Sequence, residues 1–247
     1  MTQDLGFAPW EARAVNLPEH AGNAIHTDAG ARAAGFPAAL VAGVDVYGYL
    51  THLPVVAWGE SWLSSGGAEV HFRRPVFDDD LIRSTAAEAP DDEGAVAVTG
   101  EVDGSARAIA RFWPAAPTAP EARSGERLAP LTLPLEERWR RHGDRLGDDL
   151  PLYAERALVH PVLWPHLANQ VVARDLISGS WIHTRSIIRH HAAVTVGGEA
   201  AARATVVERF DSPAGERAVL DISIEVDGDV VATLEHEAIV RLADRTD

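Results

Sequence analysis

The sequence predicts an α+β chain made of two copies of one unit, a long apolar helix wrapped by an antiparallel sheet. Three observations carry that prediction. The stretch from about Val41 to Trp62, VAGVDVYGYLTHLPVVAWGESW, is apolar on all sides as a buried helix is, although Gly48 and Pro54 weaken or interrupt it. The segments that follow are β-rich and separated by DDD, DDEG and DG turns, the pattern of an antiparallel sheet. The second half then repeats the order of helix, strand, turn and strand. Its clearest internal match is EVDG, at Glu101 to Gly104 and again at Glu225 to Gly228, 124 residues apart in a chain of 247.

In the first unit the strands are AEVHFRRPVF, GAVAVTGEVDG and SARAIARFWP. From Pro114 to about Leu133 the chain is rich in proline and has little periodicity, so it reads as a linker or an extended crossing segment. A short charged helix, LEERWRRHGDRL, is expected next. PVLWPHLANQVVARDL then reads as the second apolar helix, capped near Gly179. The strands SWIHTRSIIRHHA, ARATVVERF, AVLDISIEVDG and DVVATLEHEAIVRL complete the second unit. The expected division is residues 1–118 for the first unit and 119–247 for the linker and second unit.

Hydrophobic residues make up 46% of the chain against 24% charged, an ordinary globular balance. Lys plus Arg number 22 and Asp plus Glu 37, a net charge of −15, which disfavours nucleic acid or an anionic membrane as partner. The absence of cysteine removes disulfides, thiol nucleophiles and the usual structural zinc sites. The N-terminal stretch shows neither a basic region nor a long apolar run, and no window approaches 18 apolar residues. A cytoplasmic protein with no membrane span is therefore expected. There is no Gly-x-Ser-x-Gly elbow, phosphate loop or dinucleotide fingerprint, which disfavours hydride and phosphoryl transfer, and no cofactor is expected.

The chemistry concentrates in NAIHTDAGARAAGFPAALVAG, Asn23 to Gly43. Asn23-Ala24-Ile25-His26, followed by Ala33, Gly35-Phe36 and the helix-opening Gly43, resembles the MaoC-like (R)-specific enoyl-CoA hydratase and dehydratase family of hotdog proteins. Arg74-Pro75-Val76 with its acidic turn is similar to that family's sheet segment after the helix. The resemblance implies a double hotdog fold and reversible hydration or dehydration of an acyl thioester by a histidine and an aspartate. The aspartate's place, five residues before His26, is held by Ala21, and Ala42 stands where a second histidine often precedes the glycine. A methyl group neither takes a proton nor orients water.

What remains is His26 as acid or base and Asn23 as a group that positions substrate. The backbone N–H groups of Gly43 and Val44 open a helix, where the dipole favours charge developing on a thioester oxygen. Tyr47 and Tyr49 are candidate pocket hydroxyls. Asp45, in the first turn of the apolar helix, is the expected replacement acid facing the same pocket, with Glu19, His20 and Asp28 as alternatives. Asp28 reads more naturally as the cap of the short ARAAG helix. His160, His166, His183, His190 and His191 suggest a metal. His190 and His191 point to opposite faces of a strand, however, and no Cys or helical His pair accompanies them, so none is expected.

The alternatives are a cyclase, isomerase or hydrolase of specialised metabolism, or a non-catalytic protein holding an acyl or polyketide-like ligand. A His26 facing a cavity favours an enzyme, and a His26 with both nitrogens paired in the core favours a binder. Coenzyme A or a carrier protein would present the small-molecule acyl or polyketide-like substrate; a carrier protein, being acidic, would need a basic patch, for which Arg73, Arg74 and Arg83 are the candidates. A monomer or a homodimer of such chains is expected.

Overall fold

The computed structural model describes residues 7–89, 92, 94–177 and 179–243. Among them, one antiparallel sheet of eleven strands carries the fold. In the first half these are β1 (Trp10–Arg13), β2 (Gly67–Phe72), β3 (Leu81–Glu88), β4 (Val96–Val102) and β5 (Ser105–Trp113). The crossing segment adds β6 (Glu126–Arg127) and β7 (Leu131–Pro134), and the second half adds β8 (Ile182–His190), β9 (Glu199–Ser212), β10 (Gly215–Val226) and β11 (Asp229–Leu242). The order across the sheet is β1-β3-β4-β5-β2-β8-β11-β10-β9-β6, with β7 also on β9.

The two halves follow one path. In each, a helix leads into a strand, three more strands follow, and the last returns to pair with the first: β2 with β5, and β8 with β11. The repeated EVDG tetrapeptides occupy the same hairpin in both. Val102 pairs with Ser105 and Val226 with Asp229, leaving Asp103-Gly104 and Asp227-Gly228 as two-residue loops. Both residues of each loop have positive φ (50° and 70°, 52° and 90°), the geometry that matches strand twist and favours Asp-Gly. The halves meet where β2 pairs with β8, Ala68 opposite Ile188 and Val70 opposite Ser186.

The helices are α1 (Asp28–Ala33), α2 (Gly43–Ser65), α3 (Glu137–Arg140), α4 (His142–Arg145), α5 (Leu152–Arg156) and α6 (Leu163–Asp175). Helix α2 is buried on every face from Val44 to Val55, with Tyr47, Tyr49 and Leu50 fully enclosed, so it threads the core rather than lying on it. Burying a large apolar side chain stabilises by roughly 1.5–3 kcal/mol, and this helix supplies a run of them. Gly48 lets the second half approach: a Cβ there would sit 2.4 Å from the Leu146 side chain. Past Val55 the helix emerges and breaks at Gly59, whose φ is 57°.

Two expectations are corrected. The charged helix over 135–146 is instead two single turns, α3 and α4, joined at Arg141. The cap of α1 is Thr27, whose hydroxyl accepts from the Gly30 N–H at 3.2 Å, while Asp28 pairs with Arg32 and accepts from the Ala39 N–H. No described helix is long and apolar enough to cross a membrane.

Candidate functional site

A small satellite core fixes the loop that carries His26. Ile25, Ala31 and Leu40 are buried together, with Phe36, Phe77 and Ile182 packed against them, so the loop is clamped between its own helix and β8. The Leu40 N–H donates to the Ile25 carbonyl at 3.0 Å, and the Leu40 carbonyl accepts from His26 Nδ1 at 2.7 Å. Asn16 Nδ2 donates to the His26 carbonyl at 3.0 Å. Gly30 permits this crossing, since a Cβ there would lie 2.2 Å from the Ala24 carbonyl oxygen.

His26 stands on the wall of a cavity of about 270 Å³. With Nδ1 committed to Leu40, its Nε2 has no protein partner among the described residues. Burial lowers its pKa below the ordinary imidazole value, against the opposing pull of the Leu40 carbonyl. The ring is therefore neutral at neutral pH, with a lone pair at Nε2. Asn23 and Gly43 share the wall, and neither the Gly43 nor the Val44 N–H is spent on a carbonyl of the described residues. Asn23 Nδ2 donates to the Trp181 carbonyl at 2.9 Å, so the loop is tied to the second half.

That half builds the opposite wall from Asn169 on α6, Trp181, and Ile182 and His183 on β8, with Ile239 on β11. His183 is buried beside Gly43, where a Cβ would come within 3.4 Å of its Nδ1. Its Nε2 lies 2.8 Å from Ser186 Oγ, which lies 2.8 Å from His236 Nδ1. Burial, then the neighbouring His236, holds the His183 pKa well below its usual value.

Asp45 does not face this cavity. Its position on α2 is fully buried, and its two carboxylate oxygens take His20 Nε2 at 2.8 Å and His142 Nε2 at 2.9 Å. Burial alone would raise its pKa, but the hydrogen bonds from His142 and His20 outweigh burial and hold the carboxyl well below its ordinary range. An anion so held is a poor acid. Its reach to the site is indirect, through His20, whose ring centroid is 5.7 Å from that of His26. His142 lies 97 residues downstream, so no local pattern announces this arrangement.

Val44, Tyr47 and Tyr49 are likewise absent from the wall. Val44 and Tyr47 are enclosed in the main core, and Tyr47 stacks on Phe112. The Tyr49 hydroxyl accepts from the Val15 N–H at 3.0 Å, on the side of β1. Glu19 is spent on Arg145. Arg73 and Arg74 stand exposed at the cavity mouth, whereas Arg83 pairs with Glu11 on the far strands β3 and β1. No motif in the sequence marks Asn169 or Trp181 as a wall residue, and His183 stands out there only as a member of a histidine cluster.

No protein-family model matches the chain, and no curated protein is detectably similar to it in sequence. Solved structures match along nearly all of it. A conserved Mycobacterium tuberculosis protein described as having a double hotdog fold superposes with a TM-score of 0.65 at 13% identity, over 94% of this chain and 96% of that one. A Chloroflexus aurantiacus protein described as a MaoC-domain dehydratase gives 0.62 at 12% identity, over 96% of each chain. The dehydratase domain of PpsC from M. tuberculosis, solved with C12:1-CoA, gives 0.57 at 15%, over 97% and 96%. A Lactobacillus plantarum protein described as an oleoyl thioesterase matches at 0.55 and 10% identity, over 97% and 99%. This chain is a double hotdog.

Proposed function

We propose that this double hotdog chain is an acyl-thioester hydratase or dehydratase in which His26 moves the proton. One observation carries the reading: a neutral imidazole on a cavity wall, with Nδ1 fixed by Leu40 and Nε2 left open. In the dehydrating direction, Nε2 takes the α-proton of a 3-hydroxyacyl thioester. Negative charge develops on the thioester oxygen beside the Gly43 N–H, and the proton passes to the departing hydroxyl, leaving the 2-enoyl thioester and water. Hydration is the reverse. Asn23 positions the substrate. Asp45 contributes by holding His20 beside His26, not by donating a proton.

The dehydratases among the similar folds support the reaction class, and the one bound to C12:1-CoA supports coenzyme A as the carrier. Arg73 and Arg74 at the mouth suit its phosphates. The thioesterase fold match favours a second reading, in which His26 activates water against the thioester carbonyl.

Mass spectrometry of wild-type and His26→Ala protein, incubated with 2-enoyl- and 3-hydroxyacyl-CoA thioesters, separates them. The expected result is gain or loss of water by wild type and a fall of about 10²- to 10⁴-fold in the variant, the range for removing a general acid–base. Release of free coenzyme A moves the assignment to a hydrolase. No change in any thioester, by folded protein, sinks the enzyme reading and leaves a binding protein.

A further inference from the structure

A chain of net charge −15 has carboxylates to spare for its cations. Most of its described arginines take one, but among the described residues Arg73, Arg74, Arg107, Arg127 and Arg189 have no carboxylate partner. Arg73 and Arg74 stand at the mouth of the His26 cavity, and the Arg107 carbonyl takes both of their N–H groups, so these three lie together. Arg127 and Arg189 line a different space.

That space is a cavity of about 470 Å³ between the crossing segment and the face of the second half's sheet turned away from the core. The strand register gives its floor. Arg203 on β9, Ser223 on β10, Thr233 on β11 and Arg189 on β8 stand opposite one another strand by strand, so one row carries two arginines with two hydroxyls between them. Strands lie about 4.8 Å apart, which sets the two arginine Cα atoms roughly 14 Å apart, within reach of both side chains over the hydroxyls. Arg127 on β6 stands opposite Thr205 in the next row.

The carboxylates of the lining are already spent. Asp221 and Glu235 both accept from Arg123, and Glu235 also accepts from Arg185. Arg203 gives its Nε to Glu225 at 2.9 Å. Arg189 gives its Nε to the Pro117 carbonyl at 3.1 Å, which fixes the guanidinium and leaves its terminal nitrogens without a protein partner among the described residues. Those nitrogens, the exposed Arg127 guanidinium and the Ser223 hydroxyl are not among the unpartnered atoms sealed from solvent, so they are open to an incoming group. Burial lowers Arg189 below the ordinary guanidinium value, against the pull of Glu235 and Asp221. A cation taken from water without a close anion favours any ligand that supplies one.

We propose that this cavity is a second binding site, for a phosphate monoester with an apolar body: the phosphoryl oxygens meet Arg127, Arg189 and Ser223, and the body lies against Pro120 and Leu128 of the crossing segment. Two guanidinium groups without a carboxylate match the charge of about −1.5 to −2 that a monoester carries at neutral pH. The arginine fork also suits phosphoryl oxygens. A monocarboxylate would leave one cation unanswered. The site is separate from the His26 cavity and holds whatever reaction takes place there.

The test is calorimetric titration of the full chain with phenyl phosphate, inorganic phosphate and benzoate. Phenyl phosphate is expected to bind at least about tenfold more tightly than either of the others, since only it offers both the charge and the body. Arg127→Gln, at an exposed position, and Arg189→Gln each weaken it by about ten- to a hundredfold, the range for a hydrogen bond to a charged group. The double variant Arg73→Gln with Arg74→Gln leaves it unchanged. Thermal unfolding checks the fold, and Arg127→Gln alone decides if Arg189→Gln does not fold. Phenyl phosphate that fails to bind, binds no more tightly than inorganic phosphate or benzoate, or binds folded Arg127→Gln as well as wild type overturns the inference. So does a loss in the Arg73 and Arg74 variant, which puts the phosphate at the His26 cavity instead.

Discussion

In the first half a helix of 23 residues runs behind four strands, and in the second a helix of 13 residues does the same. Both close the same hairpin with Asp-Gly at positive φ. The first half also has a loop, Asn23 to Leu40, that drops a histidine at the mouth of its helix. The second half has no such loop, and most of its histidines are instead enclosed: His160, His183, His190 and His236 are buried, while His191 is exposed. The two halves share the path of the backbone, which the pattern of apolar residues dictates, and differ in the side chains they hang on it. In the proposed reading one half carries the reactive group, and the other lines the space it works in.

The largest expected break in that comparison comes with acid. Burial lowers His166 to about 4 and His190 and His236 to about 3, and all three lie in the second half. A histidine whose folded pKa lies below the unfolded value near 6.5 binds a proton on unfolding, so its stabilisation is complete above about 6.5 and shrinks as pH falls toward the folded value. Each costs about 1.4 kcal/mol per pH unit in that window, roughly 4 kcal/mol per unit for the three between 6.5 and 4. Urea midpoints at pH 7 and pH 5 measure this, and a flat profile contradicts the burial of these rings.

Next in size is Asp45→Ala. It leaves the His20 and His142 rings without their shared hydrogen-bond acceptor in the core, an expected loss of roughly 1–3 kcal/mol for each. His26→Ala, in the same half, is expected to shift the unfolding midpoint little while removing turnover. If the two variants unfold alike, the loop and the helix are not the separate devices described above. The rate profile of wild type sharpens the point: with His26 lowered by burial, the acid limb of kcat/KM falls below pH 6.5.

The smallest effects fall on the shared feature. Gly104→Ala and Gly228→Ala put a Cβ where nothing stands within 4 Å, so only the positive φ opposes them, at about 1–2 kcal/mol each. Equal losses, read from thermal unfolding, confirm that the two hairpins do the same work. Unequal ones show where the copies have drifted.

The sheet, both core helices and the doubled order were legible because each depends on local patterns. DVVATLEHEAIVRL, for instance, forms β11 from Asp229 to Leu242 as read. The wall of the candidate cavity was legible only where it is local too, at Asn23, His26 and Gly43. Asp45 is a pocket candidate in the sequence as a carboxylate in the first turn of an apolar helix, and Tyr47 and Tyr49 as hydroxyls on that helix. A helix buried all round turns no one face to a cavity, and periodicity cannot say which neighbour each residue meets. Asn169, Trp181 and His183 reach the cavity only because the second half is brought against the first across the β2–β8 seam, a long-range event with no signature at the residues themselves.

That seam has a consequence for how the chain is made. Glu69 on β2 and Arg185 on β8, bonded at 2.9 Å, are 116 residues apart in sequence. As the chain leaves the ribosome, the first unit can assemble while the strand destined for the middle of the finished sheet still lies at a bare margin, its N–H and C=O groups unpaired until the second unit follows. Such a margin readily captures another strand. Two nascent chains on one message would each hold what the other lacks, and exchange of second units between them would give an intertwined pair in which every contact described above is kept.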